Sequence, residues 1–128
     1  MSEHRRFAMH IEGQARLARI FIGESDTLHG RALSGVIVEK ARANGLAGAT
    51  MWRGSAGFGA TSHLRSSNIL DLSSDLPIIV EIVDKPERLD DFMPMLDEML
   101  ESAGCGGLVT IEDVEIRRYF HGKQDRPQ

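Results

Sequence analysis

The chain has 128 residues, of which 41% are hydrophobic and 27% are charged, and its formal net charge at pH 7 is −4. This length fits one domain with one hydrophobic core, and the composition excludes a disordered, collagen-like or membrane-spanning protein. The acidic balance and a pI near 5.7 argue against general nucleic-acid binding, because affinity for the phosphate backbone needs clustered Lys and Arg.

The first half of the chain predicts a strand, a helix and a second strand. Residues 1–13 show no periodicity and are expected to be a frayed lead-in. Residues 15–22 predict a strand, because alternate positions are apolar. Apolar positions at helical spacing over residues 33–41 predict a helix that Asn44 ends, and residues 46–53 fit a second strand.

A glycine- and serine-rich segment follows at residues 54–68. It has three glycines, four serines and no acidic residue, in a chain that is acidic overall. A structureless loop of about 15 residues is uncommon in a compact domain unless it is functional or disordered. This segment is therefore the first candidate for function.

The next strand and helix are predicted more strongly. Residues 76–83 form a β-branched run that predicts a strand. An apolar stripe at helical spacing over residues 89–100 predicts the clearest helix of the chain. Asp84 and Glu87 are expected to form a capping box before this helix, and Pro94 is expected to kink it.

A last predicted strand at residues 108–119, with an irregularity near Glu112, completes the order β-α-β, long loop, β-α-β. This order predicts a ferredoxin-like α+β sandwich, a four-stranded antiparallel sheet with both helices on one face. The other face is left bare, and its apolar residues favour covering by another copy of the chain. The sequence thus predicts one domain with a core at residues 15–119, a flexible tail at 121–128, and a homo-oligomer.

Several segments resemble one known family, in the order in which that family has them: RIFIGESD (19–26), IVEKAR (37–42), GLAGAT (45–50), RGSAGFG (53–59) and DLP (75–77). They are similar to DUF190, a conserved bacterial family grouped with the PII-like proteins. The resemblance covers about residues 15–119. It implies a PII-like homotrimer in which the sheets face each other and adenine nucleotides (ATP, ADP or AMP) bind in clefts between subunits.

The same resemblance implies roles for two segments. Residues 54–68 correspond to a mobile loop that contacts a target, such as a membrane transporter, a channel or an enzyme. Residues 104–107 correspond to a turn that helps to hold phosphates. The chain lacks the loop sequence of the nitrogen regulatory PII proteins, so uridylylation and 2-oxoglutarate sensing are not implied.

The candidate ligand-binding residues are glycines and arginines. Glycine amides can line an anion-binding concavity, and guanidinium groups can bind phosphate in bidentate fashion. Each candidate also has a plainer interpretation: a flexible loop, a helix C-cap at residues 104–107, or a solvated arginine. The candidates are Arg53, Gly54, Gly57, Gly59, Arg65, Gly104, Gly106, Gly107, Arg117 and Arg118.

Metal binding, an internal disulfide and acid–base catalysis are not expected. The five histidines lack the spacing of metal sites, and a single cysteine, Cys105, offers neither an internal disulfide nor a zinc set. Together with the lack of an apolar signal or membrane segment, this predicts a cytoplasmic protein. Glu24, Ser25 and Asp26 are expected to cap a helix rather than to act as acids or bases.

Three functions remain open at this point. The first is a regulatory protein that binds an anionic effector and changes the fit of residues 54–68 to a partner. The second is a structural or interaction module that needs no ligand. The third and least favoured is a hydrolase or metal-handling protein, because no G-x-S-x-G nucleophile motif occurs.

Overall fold

A computed structural model describes residues 12–58, 65–66 and 75–120 of the chain. Its main elements follow the predicted order and are β1 (Gly13–Gly23), α1 (Leu33–Ala43), β2 (Gly48–Arg53), β3 (Pro77–Asp84), α2 (Pro86–Ala103) and β4 (Leu108–Ile116). The sheet order is β2-β3-β1-β4, with every neighbouring pair antiparallel. The predicted ferredoxin-like α+β fold is confirmed.

The core lies between the helices and one face of the sheet. Alternate residues of β1, namely Ala18, Ile20 and Ile22, are buried and belong to one cluster with residues of both helices, such as Ile37 and Leu96. This arrangement follows from the period of two in the strands and the 3.6-residue period in the helices. Both helices therefore cover this face, and no helix of the described residues covers the opposite face of the sheet, here called the open face.

Three expectations about β1 and β4 need correction. Gly13 is not part of a frayed lead-in, because it begins β1 opposite Ile116; residues 1–11 lie outside the described residues. The register from Gly13 opposite Ile116 to Phe21 opposite Leu108 is continuous, so the irregularity predicted near Glu112 is absent from this pairing. Strand β4 ends at Ile116, three residues earlier than predicted.

The predicted capping of both helices is wrong. The N-cap of α1 is Ala32, without a side-chain hydrogen bond; the Asp26 carboxylate instead accepts a hydrogen bond from the Gly23 amide (2.7 Å). The N-cap of α2 is Lys85, also without a side-chain cap, and Asp84 has other partners, described below. Helix α2 continues through Pro94 to its last residue as one element.

A short hairpin precedes α1. Thr27–Leu28 pairs with Arg31–Ala32, and the two residues between them, His29 and Gly30, both have positive φ (51° and 81°). Positive φ at both positions is what a two-residue hairpin turn of type I′ requires. His29 is therefore an exposed turn residue, and neither caps nor begins the helix.

Part of the segment at residues 54–68 has regular structure. In its described part, Ala56–Gly57 pairs antiparallel with Arg65–Ser66. Residues 59–64 and 67–74, which include the candidate Gly59, lie outside the described residues.

Candidate functional site

The sheet register brings four strand ends together at one edge. Arg53, the last residue of β2, lies opposite Ile78 of β3, and Ile78 lies opposite Ile22 near the end of β1. Leu108, the first residue of β4, lies opposite Phe21. We call this edge the glycine end, because Gly23 is the last residue of β1, Gly54 follows β2, and Gly106 and Gly107 precede β4.

Main-chain hydrogen bonds fix the glycine end. The Gly54 amide donates to the Pro77 carbonyl (2.8 Å), and the Ser25 amide donates to the Asp75 carboxylate (2.8 Å). A Cβ atom on Gly54 would lie 3.0 Å from Cγ of Pro77, closer than side chains normally pack. Glycine at position 54 thus lets the end of β2 approach the start of β3.

Arg53 is the most available charged group among the described residues of this end. Its side chain is 59% exposed, and its Nε atom is 3.5 Å from Oε2 of Glu24. Exposed ion pairs of this kind contribute only about 0–1 kcal/mol. The guanidinium therefore retains donors that an anion can use.

Two glycines of the turn between α2 and β4, Gly104 and Gly107, have different surroundings. Gly104 has a left-handed conformation (φ 68°), and its amide donates to the carbonyls of Leu100 and Glu101. The helix C-cap interpretation is confirmed for Gly104, and its amide is already used within the helix end. Gly107 lies beside the end of β1, where an added Cβ would be 3.7 Å from the Phe21 carbonyl oxygen.

Arg117 and Arg118 do not join the other candidates within one copy of the chain. They follow Ile116, which pairs with Gly13, eight residues before Phe21 on β1. At about 3.4 Å per residue, the two ends of this pairing are roughly 27 Å apart. The predicted strand over residues 108–119 included these arginines, but β4 ends at Ile116, before them.

The remaining candidates lie in the glycine-rich segment. Gly57 pairs with Arg65 in the short ladder. Gly59 lies outside the described residues, so its proposed role stays a prediction.

The edge opposite the glycine end contains a buried ion pair. The Asp84 side chain is fully buried, and its carboxylate accepts hydrogen bonds from Nε of Arg88 (3.0 Å) and from the Ala47 amide (3.0 Å). Arg88 also donates to the Gly45 carbonyl. This network joins the α1–β2 turn to the start of α2, and we call this edge the locked end.

The segment after β4 is attached to the locked end. The Tyr119 hydroxyl donates to the Ala47 carbonyl (2.7 Å), and the Arg118 guanidinium lies 4.5 Å from the centre of the Phe120 ring. Sequence reasoning missed both this attachment and the buried pair, because the main-chain groups of Gly45 and Ala47 that they contact lie 37 to 72 residues away in the chain.

The open face has rows of side chains in register, and the row nearest the glycine end is apolar. Directly opposed residues in neighbouring strands share a face. The apolar row consists of Trp52, Ile79, Phe21 and Leu108. Trp52 and Leu108, at the two outer strands, are 51% and 47% exposed.

The next row of the open face is polar, so the open face is apolar only in part. Arg19 contacts Glu81 (Nε to Oε2, 2.7 Å) on one side and Glu112 (2.5 Å) on the other. The hydrogen bond with Glu81 and the charge of Glu112 raise the pKa of Arg19 above its ordinary value.

No cluster of three His, Cys, Asp or Glu side chains suited to a metal ion occurs among residues 12–58 and 75–120. No helix in the described part of the chain is long and apolar enough to cross a membrane.

Comparison with known families gives a match over most of the chain. The family model described as "DUF190: Uncharacterized ACR, COG1993" matches residues 15–116. A UPF0166 protein of Aquifex aeolicus is 38% identical over 101 residues, covering 79% of this chain and 91% of that protein. UPF0166 protein MJ1524 of Methanocaldococcus jannaschii is 29% identical over 103 residues, covering 80% and 92%.

Comparison with solved structures supports the fold. CPII, a nitrogen regulatory PII-like protein from Thiomonas intermedia K12 bound to ADP, AMP and bicarbonate, has a TM-score of 0.61 at 13% identity, covering 82% of this chain and 90% of that one. A second PII-like structure, from Thermus thermophilus, has a TM-score of 0.57 at 16% identity, covering 84% and 94%. At these identities the likeness shows a PII-like fold.

Proposed function

This chain belongs to the DUF190 family, and we propose that it is a PII-like regulatory protein that binds an adenine nucleotide at the glycine end of its sheet. The observation that carries the proposal is the convergence of four strand ends beside an exposed Arg53 guanidinium. CPII, which has the same fold, is bound to ADP and AMP. We assign this chain no catalytic step.

Phosphate groups are the part of a nucleotide that the glycine end suits best. The Arg53 guanidinium offers charged donors, and a guanidinium binds phosphate oxygens in bidentate fashion. Gly106 and Gly107 allow a ligand to approach the backbone closely, because they have no side chains. Gly104 contributes as a helix cap, since its amide is used by the end of α2.

A complete site including Arg117 and Arg118 requires a second copy of the chain. These arginines are about 27 Å from the glycine end of their own copy, which is longer than a nucleotide. We therefore propose that they reach the glycine end of a neighbouring copy in a homotrimer. Burial of the exposed Trp52 and Leu108 on the open face would favour such an assembly.

We propose that nucleotide binding changes the arrangement of residues 54–68. This segment begins at Gly54, which the hydrogen bond to Pro77 fixes next to Arg53. A nucleotide held by Arg53 shifts the conformation of this segment only if it binds more tightly to one arrangement of residues 54–68 than to another. The ordered arrangement includes the ladder of Gly57 and Arg65, and a target protein would recognise it.

Calorimetry with ATP, ADP and AMP tests the proposed function. At least one of them is expected to bind, and Arg53→Ala is expected to weaken that binding about tenfold, because a charge-assisted contact is lost. Arg42→Ala is the matched control, since Arg42 is also exposed but lies on α1. The absence of heat with all three nucleotides, or an equal affinity of both variants, contradicts the proposal.

A second candidate function is a ligand-independent interaction module. Two large apolar side chains, Trp52 just before the glycine-rich segment and Phe58 within it, are 51% and 68% exposed, which favours a protein contact there. Capture of a transporter or enzyme by the purified chain, unchanged by nucleotide and lost on deletion of residues 55–68, would favour this second function.

A further inference from the structure

A groove lies between α1 and α2 on the outer surface of the helix layer, beside the hairpin that precedes α1. Its volume is about 420 Å³, within the range of small-molecule sites. The helix layer is on the other side of the sheet from the open face. An assembly through the open face therefore leaves this groove accessible.

The floor of the groove is apolar and its length is limited. Val36 of α1 and Met99 of α2 are 9% and 5% exposed and belong to the core cluster, against which Met95 also packs. Methionine side chains adapt to apolar groups of different shape. The Asn44 amide contacts the Met95 sulfur (Nδ2 to Sδ, 3.4 Å), and Asn44 lines a separate, smaller cavity of about 240 Å³. The groove is thus short, and suits a small molecule better than a length of peptide.

Two opposite charges line the groove from the two helices. Lys40 is an exposed residue of α1, and Glu98 is an exposed residue of α2. Neither forms an ion pair, with the other or with any further residue that the structure describes. Arg31 also lines the groove, but its guanidinium already donates to Glu39 (2.6 Å). Lys40 and Glu98 therefore remain available to a ligand that carries both charges.

We propose that this groove binds a free amino acid with an apolar side chain. Lys40 binds the carboxylate, Glu98 binds the ammonium group, and the side chain of the ligand packs on Met95 and Met99. Packed helices have axes about 8–10 Å apart, and a small zwitterion with one hydrogen bond at each end spans a similar distance. This inference adds a second class of ligand and does not depend on nucleotide binding at the glycine end.

Methyl NMR of the methionines reports on the groove directly. Met95 and Met99 line it, whereas Met51 and Met93 do not, so that each spectrum contains its own control. Titration with L-leucine is expected to shift the methyl signals of Met95 and Met99 until they saturate. The signals of Met51 and Met93 are expected to stay in place.

Three analogues of leucine separate the parts of the ligand. Leucinamide lacks the carboxylate, 4-methylpentanoate lacks the ammonium group, and glycine lacks the apolar side chain. Each is expected to bind at least about tenfold more weakly than leucine, because a charge-assisted contact or the burial of an apolar side chain is lost.

Variants of the two charged residues test their roles with matched controls. Lys40→Gln and Glu98→Gln are each expected to weaken leucine binding about tenfold. Arg42→Gln and Asp97→Asn are the controls, since they remove exposed charges from the same two helices outside the lining of the groove. Both controls are expected to bind leucine as the wild type does.

The outcomes that overturn the inference are distinct from failure of the proposed function. If millimolar leucine leaves Met95 and Met99 unshifted, or shifts Met51 and Met93 equally, the groove is not an amino-acid site. If 4-methylpentanoate or leucinamide binds as tightly as leucine, or Glu98→Gln behaves as Asp97→Asn does, recognition of a zwitterion is wrong. Calorimetry with ADP tests the glycine end separately, and its result does not change these conclusions.

Discussion

The two ends of the sheet use their polar groups in opposite ways. At the locked end, Asp84 is fully buried and paired with Arg88, and the pair also holds main-chain groups of the α1–β2 turn. At the glycine end, Arg53 is 59% exposed, and its ion pair with Glu24 is a long 3.5 Å contact. The comparison indicates that one end stabilises the fold, while the other keeps its charge available to a ligand.

The largest expected effect comes from breaking the locked end. Asp84→Ala removes the acceptor of Arg88 and of the Ala47 amide. Breaking a buried pair costs about 3–5 kcal/mol, and we expect roughly 3 kcal/mol here because Arg88 is one-third exposed and can reach water. Urea unfolding measures this loss, with Asp97→Ala, an exposed carboxylate of α2, as the control. Equal stability of the two variants would show that the end is not locked.

At the glycine end, adding a methyl group sharpens the comparison. Gly54→Ala places a Cβ 3.0 Å from the Pro77 ring, and overpacking of this kind costs about 1–3 kcal/mol. Gly35→Ala is a control with the opposite expected sign: it has nothing within 4 Å and lies in α1, where alanine is favoured by about 0.5–1 kcal/mol. Thermal unfolding of both variants measures whether their stabilities change in opposite directions. A Gly54→Ala variant as stable as the wild type would mean that the backbone approach at this end is loose.

A smaller effect is expected where the segment after β4 joins the locked end. Tyr119→Phe keeps the ring and removes the hydroxyl that donates to the Ala47 carbonyl. A hydrogen bond of this type contributes about 0.5–1.5 kcal/mol, and the free energy of unfolding should fall by that amount. Denaturant titration at several wavelengths measures it. No change would mean that the segment is held by its other contacts.

The smallest effect concerns a pair that belongs to neither end. The hydrogen bond from Arg31 (2.6 Å) lowers the pKa of the Glu39 carboxyl below its ordinary value. A lowered pKa gives stability that is present above the ordinary pKa and is lost as the pH falls through the folded-state pKa. Glu39→Gln should thus be slightly less stable than the wild type at pH 7, and equal to it at a pH well below about 4, the ordinary range of a glutamate pKa. Comparison of the two unfolding curves across this pH range measures the effect, and a difference that grows toward acid pH would contradict this sign.

The fold was predictable because its signals are local. Alternation along β1 places Ala18, Ile20 and Ile22 on one face, and the helical stripe that includes Leu89 and Leu96 faces the same core. Short-range periodicity is enough to identify such elements, and their order then limits the topology.

The locked end was not predictable, because the main-chain groups of Gly45 and Ala47 that its side chains contact lie 37 to 72 residues away in the chain. Asp84 looks like a capping residue in sequence, yet it accepts hydrogen bonds from Ala47 and from Arg88 and caps neither helix. Local capping and a buried ion pair both place an acid before a helix, and only the packing decides between them.

The candidate site was predictable in part. The glycines and Arg53 were identified from composition, and the register places Arg53 and Gly54 with the turn before β4 at one edge of the sheet. Trp52 was not singled out as exposed, although the period of two along β2 already places it on the open face.

The difference between the two ends of the sheet is best tested by hydrogen–deuterium exchange with and without ADP, because exchange reports on both ends in one measurement. ADP is expected to slow exchange in peptides covering residues 52–57 and 104–108, and to leave residues 45–47 and 84–88 unchanged. Protection at the locked end alone, or none anywhere at saturating ADP, would contradict this expectation.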